Sequence, residues 1–148
     1  MRESTRGPAR MLIRPYREAD EAAVIALCNE CELTRPWNDP RKDIARKSRV
    51  QPEWFLVGTW ENEIIASVMA GYEGHRGWVN YLAVARAHRG RGHATALMRH
   101  VEELLTAAGC PKLSLQVRTS NPQALEFYRR IGYTRDEAVS LGKRLIAD

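Results

Sequence analysis

Residues 78–108 read W-V-N-Y-L-A-V-A-R-A-H-R-G-R-G-H-A-T-A-L-M-R-H-V-E-E-L-L-T-A-A. The β-rich apolar run from Trp78 to Val84 stops at Ala85-Arg86-Ala87-His88. A basic, glycine-punctuated turn follows, Arg89-Gly90-Arg91-Gly92-His93-Ala94. Beyond it Ala94, Leu97, Met98, Val101, Leu104, Leu105 and Ala108 recur at helical spacing. The predicted order is strand, glycine turn, helix. The first N–H groups of a helix have no intrahelical partner and sit at the positive end of its dipole. Glycines let the backbone turn tightly and approach a ligand closely. With Arg89 and Arg91 adding charge, the stretch predicts a phosphate or pyrophosphate site.

Two nucleotide motifs fail on particular residues. A P-loop requires Lys-Ser or Lys-Thr after the last glycine, and neither follows Gly92. A dinucleotide fingerprint requires Gly or Ala at position 95 and an acid about twenty residues on. The chain has Thr95 there, then Cys110-Pro111-Lys112 and Ser114.

Outward from this stretch, Leu12 to Pro15 reads as a short first strand and Glu18 to Glu30 as a helix with Val24, Ile25, Leu27, Cys28 and Cys31 on its apolar face. Thr34 to Pro40 is a loop. Asp39 caps a second, highly charged helix that has Pro40 at its first position and runs to about Arg49. Trp37, in that loop, either lines an acceptor pocket or plugs the core. Trp54–Thr59 and Ile64–Gly71 predict a hairpin. Lys112–Val117 alternates as a strand. Asn121-Pro122 opens a last helix that Gly132 ends, and Tyr133–Ile146 should hold one or two final strands. The class is α/β with a mixed sheet.

The 148 residues suit one domain, 11–148, preceded by a polar, basic, disordered extension over residues 1–10. No apolar run approaches a membrane span and the N-terminus lacks a signal-peptide core, so a cytoplasmic address is expected. The net charge is +5, of which residues 1–10 hold +2. A polyanionic ligand explains the surplus as well as nucleic acid would, and no basic run is interleaved with aromatics as single-strand binding needs. Cys28-x-x-Cys31 has no second cysteine pair and lies within a helical pattern, which reads as buried thiols rather than a metal or redox site. No metal and no membrane partner is expected.

A second motif joins the first: Arg118-x-x-Asn121-x-x-Ala124-x-x-Phe127-Tyr128-x-x-x-Gly132-Tyr133. With L-A-V (Leu82–Val84) and R-x-x-G-x-A (Arg89–Ala94), it resembles the acyl-CoA-binding pattern of the GNAT N-acetyltransferase superfamily. R-P-W-N-D-P (35–40), G-H-R-G (74–77), G-C-P-K (109–112) and S-L-G-K-R-L-I (140–146) are similar to a small bacterial subgroup, the YpeA-like acetyltransferases. The resemblance covers about Met11 to Ala147. It implies the GNAT fold: a mixed, mostly antiparallel sheet with helices on both faces, and a V-shaped splay beside a bulged strand.

By the same resemblance, acetyl-CoA is the cosubstrate, and its pantetheine arm meets the backbone of Leu82, Ala83 and Val84. Arg89, Gly90, Arg91, Gly92, His93, Ala94 and Thr95 cradle its pyrophosphate. Asn121 reaches the pantetheine, and Tyr128 sits by the sulfur to protonate the leaving thiolate. The implied reaction is direct attack of a primary amine on the thioester in a ternary complex. Relatives often carry a general-base Glu where Asn80 and Gln116 stand, and neither amide takes up a proton near neutral pH. Glu73, His75 and Asp39 are the candidate substitutes, beside attack by an already neutral amine. His88, His93 and His100 read as surface residues, His93 giving only its N–H. Asp39, Asp43 and Glu73 would suit a cationic acceptor whose identity the sequence leaves open. So does the choice between monomer and homodimer, and a non-catalytic acyl-CoA sensor on the same fold is the alternative.

Overall fold

The computed structural model describes residues 10–148. The expected extension over residues 1–10 lies almost wholly outside them. Five strands form one sheet in the order β1-β2-β3-β4-β5: Leu12–Pro15, Phe55–Trp60, Glu63–Tyr72, Gly77–Val84 and Leu113–Leu115. The first four are antiparallel neighbours, and β5 runs parallel to β4. β2 and β3 turn through Glu61 and Asn62, whose φ values of 49° and 68° suit a tight hairpin turn.

Strand alternation divides the core in two. Phe55, Val57 and Met69 point to one face, where they pack with Val24, Ile25 and Cys28 of α1 (Glu21–Glu30) and Ile44 of α2 (Pro40–Lys47). Leu56, Val68 and Ala70 point to the other, against Leu97, Met98, Val101 and Leu105 of α3 (His93–Ala107). Phe127 and Tyr128 of α4 (Pro122–Arg130) pack on this second cluster. Helices therefore cover both faces.

The caps follow the sequence. Asp39 Oδ1 accepts from Arg41 N at 2.9 Å with Pro40 at the first helical position, and Asn121 Oδ1 accepts from Ala124 N at 3.1 Å ahead of Pro122. Asp20 does more than favour the helix dipole. It is buried, and it takes two bonds from Arg14, at 2.7 and 2.9 Å, and one from Arg17 N at 3.0 Å. It thereby pins β1 to the start of α1.

The final strands expected within Tyr133–Ile146 are absent. β5 pairs over only three residues, and the chain beyond Gly132 is held by side-chain bonds instead of a ladder. Lys112 meets Asp136, Gln116 meets Ser140, Arg144 meets Asn38, and Arg46 meets Asp148. Val139, Leu141, Leu145 and Ile146, the residues that suggested strands, are 70–91% exposed.

The Arg14 bonds, then the Arg17 N–H, hold the Asp20 carboxyl below its ordinary pKa against the opposing effect of burial. A depressed carboxyl stabilises the fold above the unfolded-state pKa of about 3.9 and loses that contribution as pH falls through the folded value. Asp20→Asn is expected to cost about 1.5–3 kcal/mol at pH 7. The difference from the parent protein should shrink toward zero in urea titrations carried down to strongly acidic pH.

Candidate active site

The site grows from an irregularity in β4. Met69 faces Asn80 and Ser67 faces Ala83, so Tyr81 and Leu82 together stand opposite the single residue Val68. This is a β-bulge, and Tyr81 adopts φ +56° to make it. An uninterrupted strand would place residues 79, 81 and 83 on one face. The extra residue inverts that parity. Val79 and Val84 both enter the α3-side cluster, while Tyr81 packs on the α1/α2 side.

β4 and β5 part at the same place. Their last pair is Val79 with Leu115, so the edge of β4 from Asn80 to Val84 has no strand beside it. This is the V-shaped splay. A large open cleft includes this fork, and Asn80, Tyr81, Asp43, Gln116, Asn121 and Tyr128 line it.

Leu82, Ala83 and Val84 carry the free edge from the cleft to the glycine turn. Gly90 and Gly92 have φ of +78° and +82°, conformations that L side chains rarely adopt. Gly92 begins α3, and its carbonyl accepts the first helical bond from Ala96 N at 3.0 Å. The N–H groups of residues 90–95 therefore have no backbone partner among the described residues. Arg89 Nε donates to Val84 O at 3.0 Å and Arg89 Nη2 meets Cys31 Sγ at 3.3 Å. The guanidinium thus ties the turn to the end of β4. Cys31 also donates to Val84 O, at 3.3 Å, from the C-cap of α1. Only Cys28 of the two cysteines is a buried helical thiol; Cys31 is half-buried and joins the turn.

His93 and His88 are not the surface residues expected. His93 is 8% exposed, and its ring packs edge-on to Trp60 at 5.5 Å and 6.1 Å from His88. Burial foremost, then His88 and Arg91, lowers the His93 pKa, which keeps the ring neutral under the turn. Its backbone N–H is one of the unpartnered groups of the turn. Thr95 and Ala94 are half-buried in the same first turn.

Tyr128 is half-buried against Phe127 and Tyr133, with ring centroids 5.0 and 5.7 Å away. Burial pushes its phenol up to about 12, so it is protonated at neutral pH. Tyr133 donates to Glu102 at 2.6 Å and holds the Tyr128 ring from the far side. Asn121 uses Oδ1 for its helix cap, which leaves its amide N–H groups toward the cleft it lines. Trp37 stays half-exposed, with the Arg118 guanidinium 5.6 Å from its ring centre.

Glu73 is placed elsewhere. It is exposed in the β3–β4 turn, where it accepts from the N–H groups of His75 and Arg76. The adjacent Tyr72 hydroxyl reaches Gly109 O at 3.4 Å, beyond the C-terminal end of α3. Glu73 and His75 thus lie at the end of α3 opposite the glycine turn and do not line the cleft. The charge pattern in the sequence did not separate these loops in space. The residue that sequence reasoning passed over is Tyr81, which read as one more member of an apolar strand. Among the described residues no group of three or more metal-ligating side chains occurs, and no helix is long and apolar enough to cross a membrane.

Comparison with known proteins agrees with this geometry. Residues 22–133 match the family described as Acetyltransferase (GNAT) family. An acetyltransferase of Pectobacterium atrosepticum is 48% identical over 138 residues, which span 93% of this chain and 98% of that protein. Among solved structures, Ard1 from Thermoplasma volcanium superposes with a TM-score of 0.76 at 24% identity, covering 84% of this chain and 82% of that one. Aminoglycoside N-acetyltransferase AAC(6')-Iy, solved in complex with CoA, superposes with a TM-score of 0.70 at 16% identity, covering 97% and 100%.

The left-handed backbone at Gly92 gives a direct test. Gly92→Val should lower stability by about 1–2 kcal/mol, while Gly92→Asn should cost less, because Asn tolerates this region. Thermal unfolding of the two variants beside the parent reads the difference.

Proposed function

The chain belongs to the GNAT acetyltransferase family and is an acyltransferase, and from that premise we propose that it transfers acetyl from acetyl-CoA to a primary amine by direct attack. One observation carries the proposal. The unpaired edge of β4 past Val79 leads, through one short turn over Arg86–His88, into a glycine turn with bare N–H groups at a helix N-terminus. That continuity fits a ligand with a long polar arm ending in a pyrophosphate. Leu82 to Val84 offer the arm backbone groups, except the Val84 carbonyl, which Arg89 and Cys31 already occupy. Gly90 to Thr95 offer the diphosphate N–H groups at the positive end of α3, with Arg91 exposed alongside.

Acetyl-CoA supplies an activated thioester, and the protein supplies placement and charge stabilisation. Negative charge develops on the thioester oxygen as nitrogen attacks, and a free N–H beside the bulge is suited to donate a hydrogen bond to it. Charge then develops on sulfur. Tyr128, protonated and half-buried, is a hydrogen-bond donor for that sulfur. Its phenol, at about 12, is a weaker acid than an ordinary thiol near 8.5, so its role is stabilisation rather than outright proton donation. Asn121 donates its amide N–H to the arm while its oxygen caps α4. The acceptor approaches from the α1/α2 side, where Asp43, Asn80 and Tyr81 line the cleft.

Acetyl-CoA at a hundredfold excess over its dissociation constant should stabilise the protein by about 2.7 kcal/mol in thermal unfolding. Gly92→Glu, which puts a bulky anion where the diphosphate belongs, should abolish the shift. Tyr128→Phe should keep the shift and lower amine-dependent CoA release by about 10- to 100-fold. The absence of a shift in the parent protein would remove the proposal.

A further inference from the structure

Deprotonation of the amine has no carboxylate at Asn80 or Gln116, and Glu73 lies outside the cleft. Gln116 donates to Ser140 instead. The fork between β4 and β5 nevertheless holds an acid-linked group. Tyr81 stands two residues past the last β4–β5 pair, and its hydroxyl donates to Asp43 Oδ2 at 2.5 Å. The other Asp43 oxygen, Oδ1, accepts from Arg46 Nη1 at 2.9 Å, and Arg46 Nη2 is held by Asp148 at 2.6 Å. This chain of contacts fixes the carboxylate with one oxygen toward the phenol. Resting on the acetyl-transfer reading, we propose that Tyr81 and Asp43 form the proton path that turns the acceptor ammonium into the attacking amine, Tyr81 touching the substrate and Asp43 positioning it.

Three features support this assignment. Tyr81 is a non-glycine residue in left-handed backbone, a conformation that costs about 1–3 kcal/mol and concentrates at functional sites. The bulge turns its side chain to the acceptor side of the sheet, away from the α3-side core. Both Tyr81 and Asp43 line the cleft. The charged and titratable groups around the phenol are Cys28 from α1, Asp43 and Arg46 from α2, and Asp148 from the segment crossing them. Burial foremost, then the Asp43 bond, raises the phenol above its ordinary pKa, so it acts as a relay that never rests as the phenolate.

The step balances. One ammonium N–H bond breaks and its proton passes to Tyr81 Oη as the phenolic proton passes to Asp43 Oδ2. The freed nitrogen pair forms the C–N bond to the acetyl carbon. The C–S bond breaks with its electron pair going to sulfur, and the second nitrogen proton goes to that sulfur. Asp43, whose side chain is 26% exposed, returns its proton to water.

The test compares two small acceptors of different basicity, ethylamine and trifluoroethylamine, with CoA release as the readout at pH 7. Ethylamine arrives as ammonium and needs the path, whereas trifluoroethylamine arrives neutral. Tyr81→Phe and Asp43→Asn should each lower turnover with ethylamine by about 100-fold and with trifluoroethylamine by less than about 3-fold. Both variants should keep the acetyl-CoA thermal shift, and if one does not fold, the other carries the comparison. Equal losses with the two amines, or no loss with either, overturn the proposal. So does a parent protein that shows the acetyl-CoA shift yet releases no CoA with ethylamine. A parent that shows no shift overturns the acetyl-transfer reading and this proposal together.

Discussion

One surplus residue in β4 sets the arrangement of everything around it. Opposing Val68 with both Tyr81 and Leu82 forces the strand to turn about its own axis. The peptide groups past Asn80 then no longer aim at β5, and the two parallel strands separate. The sheet's other register shift, also of one residue, lies between Gly58 and Thr59 in the β2–β3 hairpin, where both strands stay paired. A cleft between parallel strands would otherwise expose two rows of unpaired peptide groups, which is costly unless water or a ligand meets them. The bulge therefore creates both the opening and the demand for something polar to fill it.

The two faces of the sheet divide the work. The α3 face carries the glycine turn, the N-terminal end of α3 and the buried His93. A charged imidazole in that position would sit beside Trp60, Arg91 and the positive helix end, and burial opposes it. The α1/α2 face is where charges are paired through Asp20, Asp43, Arg46 and Asp148. β4 connects the faces because its parity changes midway. Arg89 links them a second time, through Val84 O and the Cys31 sulfur at the end of α1.

Much of this frame was legible in the sequence because it depends on local chemistry. The helix caps at Asp39 and Asn121, the hairpin of β2 and β3, and the glycine turn before α3 each follow from residues within a few positions of one another. The glycines and Tyr128 stand out through spacing, and the structure sets them around one strand edge and its cleft. What stayed hidden depends on contacts across the chain. A bulge leaves no mark in W-V-N-Y-L-A-V, since the run is apolar on either parity. Asp43 looked like one charge among several on an exposed helix, and its bond to Tyr81 spans 38 positions. Glu73 and His75 resembled cleft residues only because sequence distance from the turn says nothing about which end of α3 they reach. Residues 139–146 carried the apolar content of a strand, yet β5 is too short to offer an edge to pair with.

The left-handed conformation of Tyr81 also bears on how this protein can change. Glycine or asparagine at that position would relieve backbone strain and leave the bulge intact. Either would also remove the packing on the α1/α2 cluster and the bond to Asp43, so the position sets backbone strain against side-chain contacts. A stabilised scaffold is therefore better built from substitutions at other sites.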